Sequence, residues 1–541
     1  LPPFFLFALA FGGILVPKLN LIKSLVCREY FIEQSRLDPS FVLTPVLFGD
    51  DNPQCEIPAV QKLVTRFMLY ISIITGGLGA VVSPKLGALS DRYGRLPILA
   101  ITSMGGFLTE IVTILAATYP ESVSYQWLLA GAVVDGLCGS FTAGAAVVHA
   151  YSADCTAPPR RNVVFGYLHA CLFSGIAFGP LLAAFLLKNG GTLISIFYIA
   201  LGIHIFFMFY IIFVAPESLS KKKQIFARER HTEEGALILE ESRSHPTYFM
   251  GQDLKVAKTM LKHANILAPL KILWPTGPGT SNSLRANLIL LSAVDTIMFG
   301  VGHGAMTVTV YYLGFQFHWT TATSSEFVSI VNIVRVAALV IVLPCLNYLV
   351  RTRRANRQRR ESGFAIPEPN SGSDNLDLYT VRAAVLFELV GYGGYALVRS
   401  GGLFTLFAVF AAVGSIGSPT MQSALTKHVP HDRVGQLLGA TGLLHALARV
   451  VAPTVFNVIY EKTVGNFTQT IFVVLFGIFV VAFFLSWFIR PHGKLSNLRP
   501  RTSILTSAVY LEETGTTTAN SERTANNIDP DVLVDEEIVG A

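Results

Sequence analysis

Apolar and polar positions alternate along this chain on the scale of a lipid bilayer. Long apolar runs lie at about 1–22, 62–83, 97–118, 125–152, 163–187, 193–214, 286–313, 321–350, 380–399, 402–426, 434–459 and 467–489. An α-helix needs about 20 mostly apolar residues to cross the hydrocarbon core. The pattern therefore predicts an all-α membrane protein with twelve transmembrane helices in two six-helix bundles. Residues 1–216 form the first bundle on this reading and 285–490 the second. Between them lies a middle loop, 217–284, and after them a polar, acidic tail, 491–541, that reads as disordered. The loop mixes polar and apolar residues over 226–265, which predicts some amphipathic helix on the membrane surface.

The basic residues set the orientation. Lys85, Arg92 and Arg95 lie between spans 2 and 3, and Arg160 and Arg161 between spans 4 and 5. Lys221, Lys222, Lys223, Arg228 and Arg230 open the middle loop. A run from Arg351 to Arg360 follows span 8, Lys427 and Arg433 follow span 10, and Arg490, Lys494, Arg499 and Arg501 follow span 12. With twelve spans all of these fall on one face, and an excess of Lys and Arg marks the cytoplasm. Both termini are expected there too. The Arg351–Arg360 run reads as a topology anchor that can touch anionic lipid. The run Leu1–Leu21 reads as a span and not as a cleaved signal peptide, since no basic stretch precedes it and Lys18 falls at its far end.

Composition agrees with a lipid-surrounded chain. Of 541 residues, 52% are hydrophobic and only 14% charged, against about 25% charged in soluble proteins. Mean hydropathy is +0.52. The net charge of +6 follows from the basic loops, so nucleic acid is not an expected partner. No cofactor motif, metal-ligand cluster or nucleophile–base spacing stands out, and no soluble catalytic domain is present; an enzyme is not expected. Cys27 and Cys55 share the first outer loop, where an oxidising compartment favours a disulfide. Asn466-Phe-Thr is a glycosylation sequon close to the membrane on the same face.

One polar turn sits between two long apolar runs: Gly87-Ala-Leu-Ser-Asp91-Arg92-Tyr-Gly94-Arg95. Its pattern, G-x3-D-R-x-G-R, resembles the signature loop between helices 2 and 3 of the major facilitator superfamily of transporters. Gly166, Gly175, Gly179 and Pro180 fit most of a helix-bending pattern, G-x8-G-x3-G-P-x-x-G-G, associated with antiporters of that family; Ala183-Ala184 replace its final glycines. Asp135 precedes Gly136 where the drug/proton antiporters place an arginine, which argues against that branch. The halves also echo each other. Gly144, Arg160, Gly166 and Pro180 match Gly417, Arg433, Gly439 and Pro453, each pair 273 residues apart. Parallel repeats with the substrate between them are how these transporters are built. Phe11-Gly-Gly-Ile-Leu-Val-Pro-Lys-Leu-Asn, Ala153-Asp154-Cys-Thr-Ala-Pro-Pro-Arg and Pro216-Glu217-Ser218 resemble the fungal general-substrate branch. More distantly, the chain is similar to the tetracycline-efflux and proton-coupled folate transporter groups, which move substrate in opposite directions.

The resemblance implies roles. Spans 1, 4, 7 and 10 would line a central cavity, with 2, 5, 8 and 11 beside them. Ionisable residues at helix centres cost at least about 2.5–3.5 kcal/mol on insertion scales and persist where they face a cavity or a partner. Asp135, Asp295 and His303 are the proton-coupling candidates, because desolvation lets a carboxylate exchange a proton as the cavity alternates between wet and dry. Arg335, Arg449 and His445 are the substrate-binding candidates. Glu110 and Glu388 sit on spans that face away, where structural pairing is expected, and His149, His169 and His204 read as packing. The Gly87–Arg95 turn would act as a gate. Asp91 would meet the positive start of span 11 near Arg433–Gln436, and Arg95 would pair with Asp154. The expected function is secondary active transport of a small organic solute, proton-coupled, by alternating access. The alternatives are a facilitative uniporter and a transporter-like receptor that binds without flux. The expected partners are that solute, protons and the bilayer, with the chain a monomer in the plasma or vacuolar membrane.

Overall fold

A computed structural model describes residues 1–37, 46, 52–244, 268–276, 280–319, 321–362, 372–463 and 467–491. Each apolar run becomes a helix. The first six are α1 Pro2–Leu37, α2 Pro58–Tyr93, α3 Arg95–Thr118, α4 Trp127–Asp154, α5 Arg161–Lys188 and α6 Leu193–Val214. The second six are α7 Asn282–Phe317, α8 Glu326–Glu361, α9 Asn375–Leu397, α10 Gly401–Thr426, α11 Val434–Thr463 and α12 Thr470–Trp487. Eleven are long and apolar enough to cross a membrane; the twelfth, α9, is diluted by Asp377, Arg382, Glu388 and its tyrosines. Polar residues start several of them. Thr192 and Ser195 cap α6 reciprocally, Asp374 and Asp377 cap α9, and the Ser281 hydroxyl accepts from the Leu284 amide at the head of α7.

The helices form two six-helix bundles. Where the bundles meet, α2 and α4 pack on α11, and α5 packs on α8 and α10. Small residues set the closest approaches. In the first bundle α5 lies against α1 through Gly175 and Gly179, where a Cβ on either glycine would collide with the backbone of Ala8, Gly12 or Gly13. Gly166 instead faces Leu339 and Leu343 of α8. The helix runs through Pro180 without a break.

In the middle loop a helix, Lys221–Ser244, rests on the turn between α2 and α3. The Arg228 guanidinium lies 5.8 Å from the Tyr93 ring, and Arg230 Nη1 is 2.7 Å from Asp432 Oδ2 at the head of α11. The helix thereby touches both bundles. The tail, 492–541, and Asn466 of the sequon lie outside the described residues.

Candidate functional site

The Gly87–Arg95 stretch is not a turn throughout: Gly87–Tyr93 is the end of α2 and only Gly94 lies between the helices. Its Ser90, Asp91 and Arg95 are buried where the bundles meet, while Tyr93 is exposed. Gly94 takes φ of +102°, a conformation suited to glycine, and separates α2 from α3. Arg95 is fully buried. Its Nε donates to Asp154 Oδ2 (2.8 Å), and its Nη1 donates to Asp91 Oδ1 (2.6 Å) and Ser90 Oγ (2.8 Å). Asp91 crosses to the other bundle and caps α11, accepting from the amides of Gly435 (2.9 Å) and Gln436 (2.7 Å). The approach requires glycine on both sides, because a Cβ on Gly87 would strike the Gly435 carbonyl. The placements foreseen for Asp91 and Arg95 are those found here. Among the described residues Arg92 stays outside the network, its Nε donating to the Ala88 carbonyl of its own helix (3.0 Å). Glu217 was missed as a member: it accepts from the amides of Arg95 (2.9 Å) and Leu96 (3.0 Å), capping α3. Ser218 Oγ donates to Asp154 (3.3 Å). The Pro-Glu-Ser sequence after α6 is thus a clasp on the turn.

The other bundle has a comparable network around Arg351, the first arginine of the run read as a topology anchor. Arg351 is buried. Its Nε and Nη2 donate to Asp374 Oδ2, and Nη2 also reaches Asp377 Oδ1 (2.7 Å). Its Nη1 donates to Asn347 Oδ1 and, across the interface, to the Pro159 carbonyl (2.8 Å) at the head of α5. Lys427 Nζ bonds Asp377 Oδ2 at 2.6 Å. Burial alone would raise the Asp377 pKa, but Lys427 and Arg351 overcome it and hold the carboxyl at about 2.

Toward the middle of the helices lie two cavities. The first, about 230 Å³, is lined from both bundles. It presents Arg335, Arg449, Glu388, His303 and His445 among aromatic residues that include Phe11, Phe141, Phe173 and Phe299. The Arg335 guanidinium sits 5.1 Å from the Phe173 ring. His445 stacks on Phe299 at 4.2 Å, and His303 lies 4.6 Å from the same ring. Asp295 does not line this cavity. It is fully buried behind it, accepting from Ser418 Oγ (2.7 Å) and lying 3.0 Å from His445 Nε2. Glu388, expected to face away, is on the wall, and so are His149 and His169, read as packing residues.

The second cavity, about 390 Å³, lies inside the first bundle. Asp135 lines it with Lys18, Glu110 and His204. Glu110 therefore does not face away, and Lys18 is not simply the end of a span. Arg449 of α11 lines both cavities. Just past Asp135 the backbone of α4 breaks: its α-helical part ends at Leu137 and resumes at Ser140, with φ of +87° at Gly139 and +52° at Ser140. α10 is interrupted at Gly414–Ile416, close to the 273-residue offset. Paired interruptions in corresponding segments of two halves point to a midplane binding site.

At the opposite end of α1, Cys27 and Cys55 form a disulfide with Cα atoms 5.6 Å apart. Among the described residues, no group of three His, Cys, Asp or Glu side chains is arranged to hold a metal ion.

Twelve helices in two bundles, with charged cavities at their middle, define a polytopic transporter fold. The chain belongs to the Major Facilitator Superfamily, whose profile matches residues 60–366; its members are transporters and not enzymes. It is 31% identical over 501 residues to the MFS-type transporter avaJ of Aspergillus versicolor, covering 92% of this chain and 89% of that one. The proton-coupled folate transporter of Rattus norvegicus is 21% identical, with 77% of each chain covered, and tetracycline resistance proteins match at a similar level. In three dimensions the chain is similar to the human organic anion transporter MFSD10, with a TM-score of 0.60, 18% identity and coverage of 90% and 97%.

Proposed function

We propose that this chain is a proton-coupled secondary transporter that moves a small organic solute by alternating access. One observation carries the reading: a charged cavity lined by both bundles, flanked by interrupted α4 and α10. A solute there touches both halves, so its binding energy can bias their relative position. Arg335 and Arg449 supply cationic donors, and the aromatic wall suits an apolar body. Asp91–α11 and Arg351–α5 close one end of the molecule, the cytoplasmic end on the distribution of Lys and Arg. Opening that end requires both latches to release.

Support for proton coupling comes from the carboxylates and histidines clustered at the cavities and from similarity to a folate transporter named as proton-coupled. The test is a solute screen in proteoliposomes with an imposed pH gradient, comparing wild type with Asp135→Asn. Gradient-driven accumulation of one solute, lost in the variant, is the expected result. Accumulation indifferent to the gradient overturns proton coupling, and binding without flux overturns transport.

A further inference from the structure

We infer that the proton is held in the second cavity, inside the first bundle, by the Glu110–His204 pair, with Arg449 linking it to the solute cavity. The inference rests on the transport reading above. His204 Nδ1 and Glu110 Oε2 touch at 2.7 Å, and both side chains are buried. The geometry is not that of a hydrogen bond, and among the described residues neither atom has a hydrogen-bond partner, so both are buried and close with their bonding unmet. The imidazole has a prepared seat. Gly106 leaves the space it occupies, since a Cβ there would lie 3.3 Å from Nε2, and the edge of Phe7 meets the ring at 4.9 Å.

The charges that share the cavity with this pair come from three other helices. Lys18 is on α1, Asp135 on α4 and Arg449 on α11, while α2 offers only Met68, Ile71 and Thr75. With His204 neutral the cluster balances, Lys18 and Arg449 against Glu110 and Asp135. A proton added to His204 forms an ion pair with Glu110 and leaves one net positive charge. A buried ion pair of this geometry is favoured over an isolated buried carboxylate. Asp135 is the acid that acts on Arg449, and the added charge in the shared cavity competes for that acid, so the guanidinium is freed for an anion in the solute cavity. By linkage an anion bound to Arg449 strengthens proton binding in return. Proton and anionic solute therefore load together.

Infrared difference spectra of the purified full chain in lipid, with isotope-labelled histidine, test this without any solute. Acidification from about pH 8 to about pH 5 spans the range in which imidazole titrates. The expected result is an imidazolium signal that His204→Gln removes, that Glu110→Gln also removes, and that Glu110→Asp retains. Arg449→Gln should move its midpoint to higher pH, because a like charge has gone. A signal unchanged in Glu110→Gln overturns the pair as the proton site, as does loss of the signal in Glu110→Asp while the helix content stays that of wild type. An unmoved midpoint in Arg449→Gln overturns the link. A failed solute screen leaves these outcomes readable, so the transport reading and the proton site fail separately.

Discussion

Replacing Asp91 by Asn isolates the latch between the bundles. The change is isosteric and keeps one acceptor, so the side chain still serves the Gly435 amide and Arg95 Nη1. Its new NH₂ then points at the Gln436 amide, 2.7 Å away, donor against donor. A hydrogen bond to a charged group contributes about 1.5–3 kcal/mol, and a negative charge at a helix N-terminus adds about 0.3–1 kcal/mol. The closed arrangement should lose about 2–4 kcal/mol relative to the open one, roughly a 30- to 700-fold shift in population. Arg95 keeps Asp154, so the first bundle itself stays folded. Hydrogen exchange read by mass spectrometry measures the shift on the peptide that begins α11. Its amides should exchange faster in the variant by a factor in that range, while peptides in α12 stay as in wild type. Transport should slow with expression intact. Unchanged exchange at Gly435 and Gln436 would refute the latch.

The remaining predictions concern stability. Arg351→Met removes charged hydrogen bonds from partly exposed Asp374 and from buried Asp377, which keeps Lys427, and should cost about 1.5–3 kcal/mol, read as a lower melting temperature in detergent; Arg357→Ala, on an exposed pair, should change it little. Asp377 is held at about 2, below the ordinary value of about 3.9. Its contribution is complete above about pH 4 and fades as pH falls toward about 2, so acid melting should lose this component in Asp377→Asn. Gly175→Val places a Cβ against the Ala8 backbone and should cost at least about 1–3 kcal/mol, seen as lost monodispersity on size-exclusion chromatography. Reduction of Cys27–Cys55 should raise the intact mass by two hydrogens and lower stability by about 2–4 kcal/mol.

Much of this was legible in the residues. Span length and hydropathy are local properties, so twelve runs became twelve helices. The Gly87–Arg95 turn was legible because its charges interrupt an apolar context and its spacing matches a known loop. What stayed hidden depends on rotation about helix axes. Nothing local says that Glu110 on α3 and His204 on α6 point at one another. Arg351 is the buried member of an arginine-rich run, and charge counting treats the whole run alike. The break after Asp135 was foreshadowed by Gly136 and Gly139, yet glycines within apolar runs also serve close packing, and one helix was read through them. Lys18 was counted for its position along the chain, while its significance lies in the cavity it lines.

One dimension of the fold has a mechanical meaning. α1 contains 36 residues, roughly 54 Å at the rise of an α-helix, against a hydrocarbon core of about 30 Å. It is a rod much longer than its bearing. Its distal part is fastened to the segment before α2 by Cys27–Cys55 and to the α3–α4 connection through Arg28 and Glu121, 3.4 Å apart. Any tilt of the rod is therefore magnified at its tip and passed to neighbours bound there. If the proposed alternating access tilts this rod, a small displacement beside Lys18 is geared up into a larger one at the far surface, where a soluble ligand or antibody fragment gripping that tip would oppose it without entering either cavity.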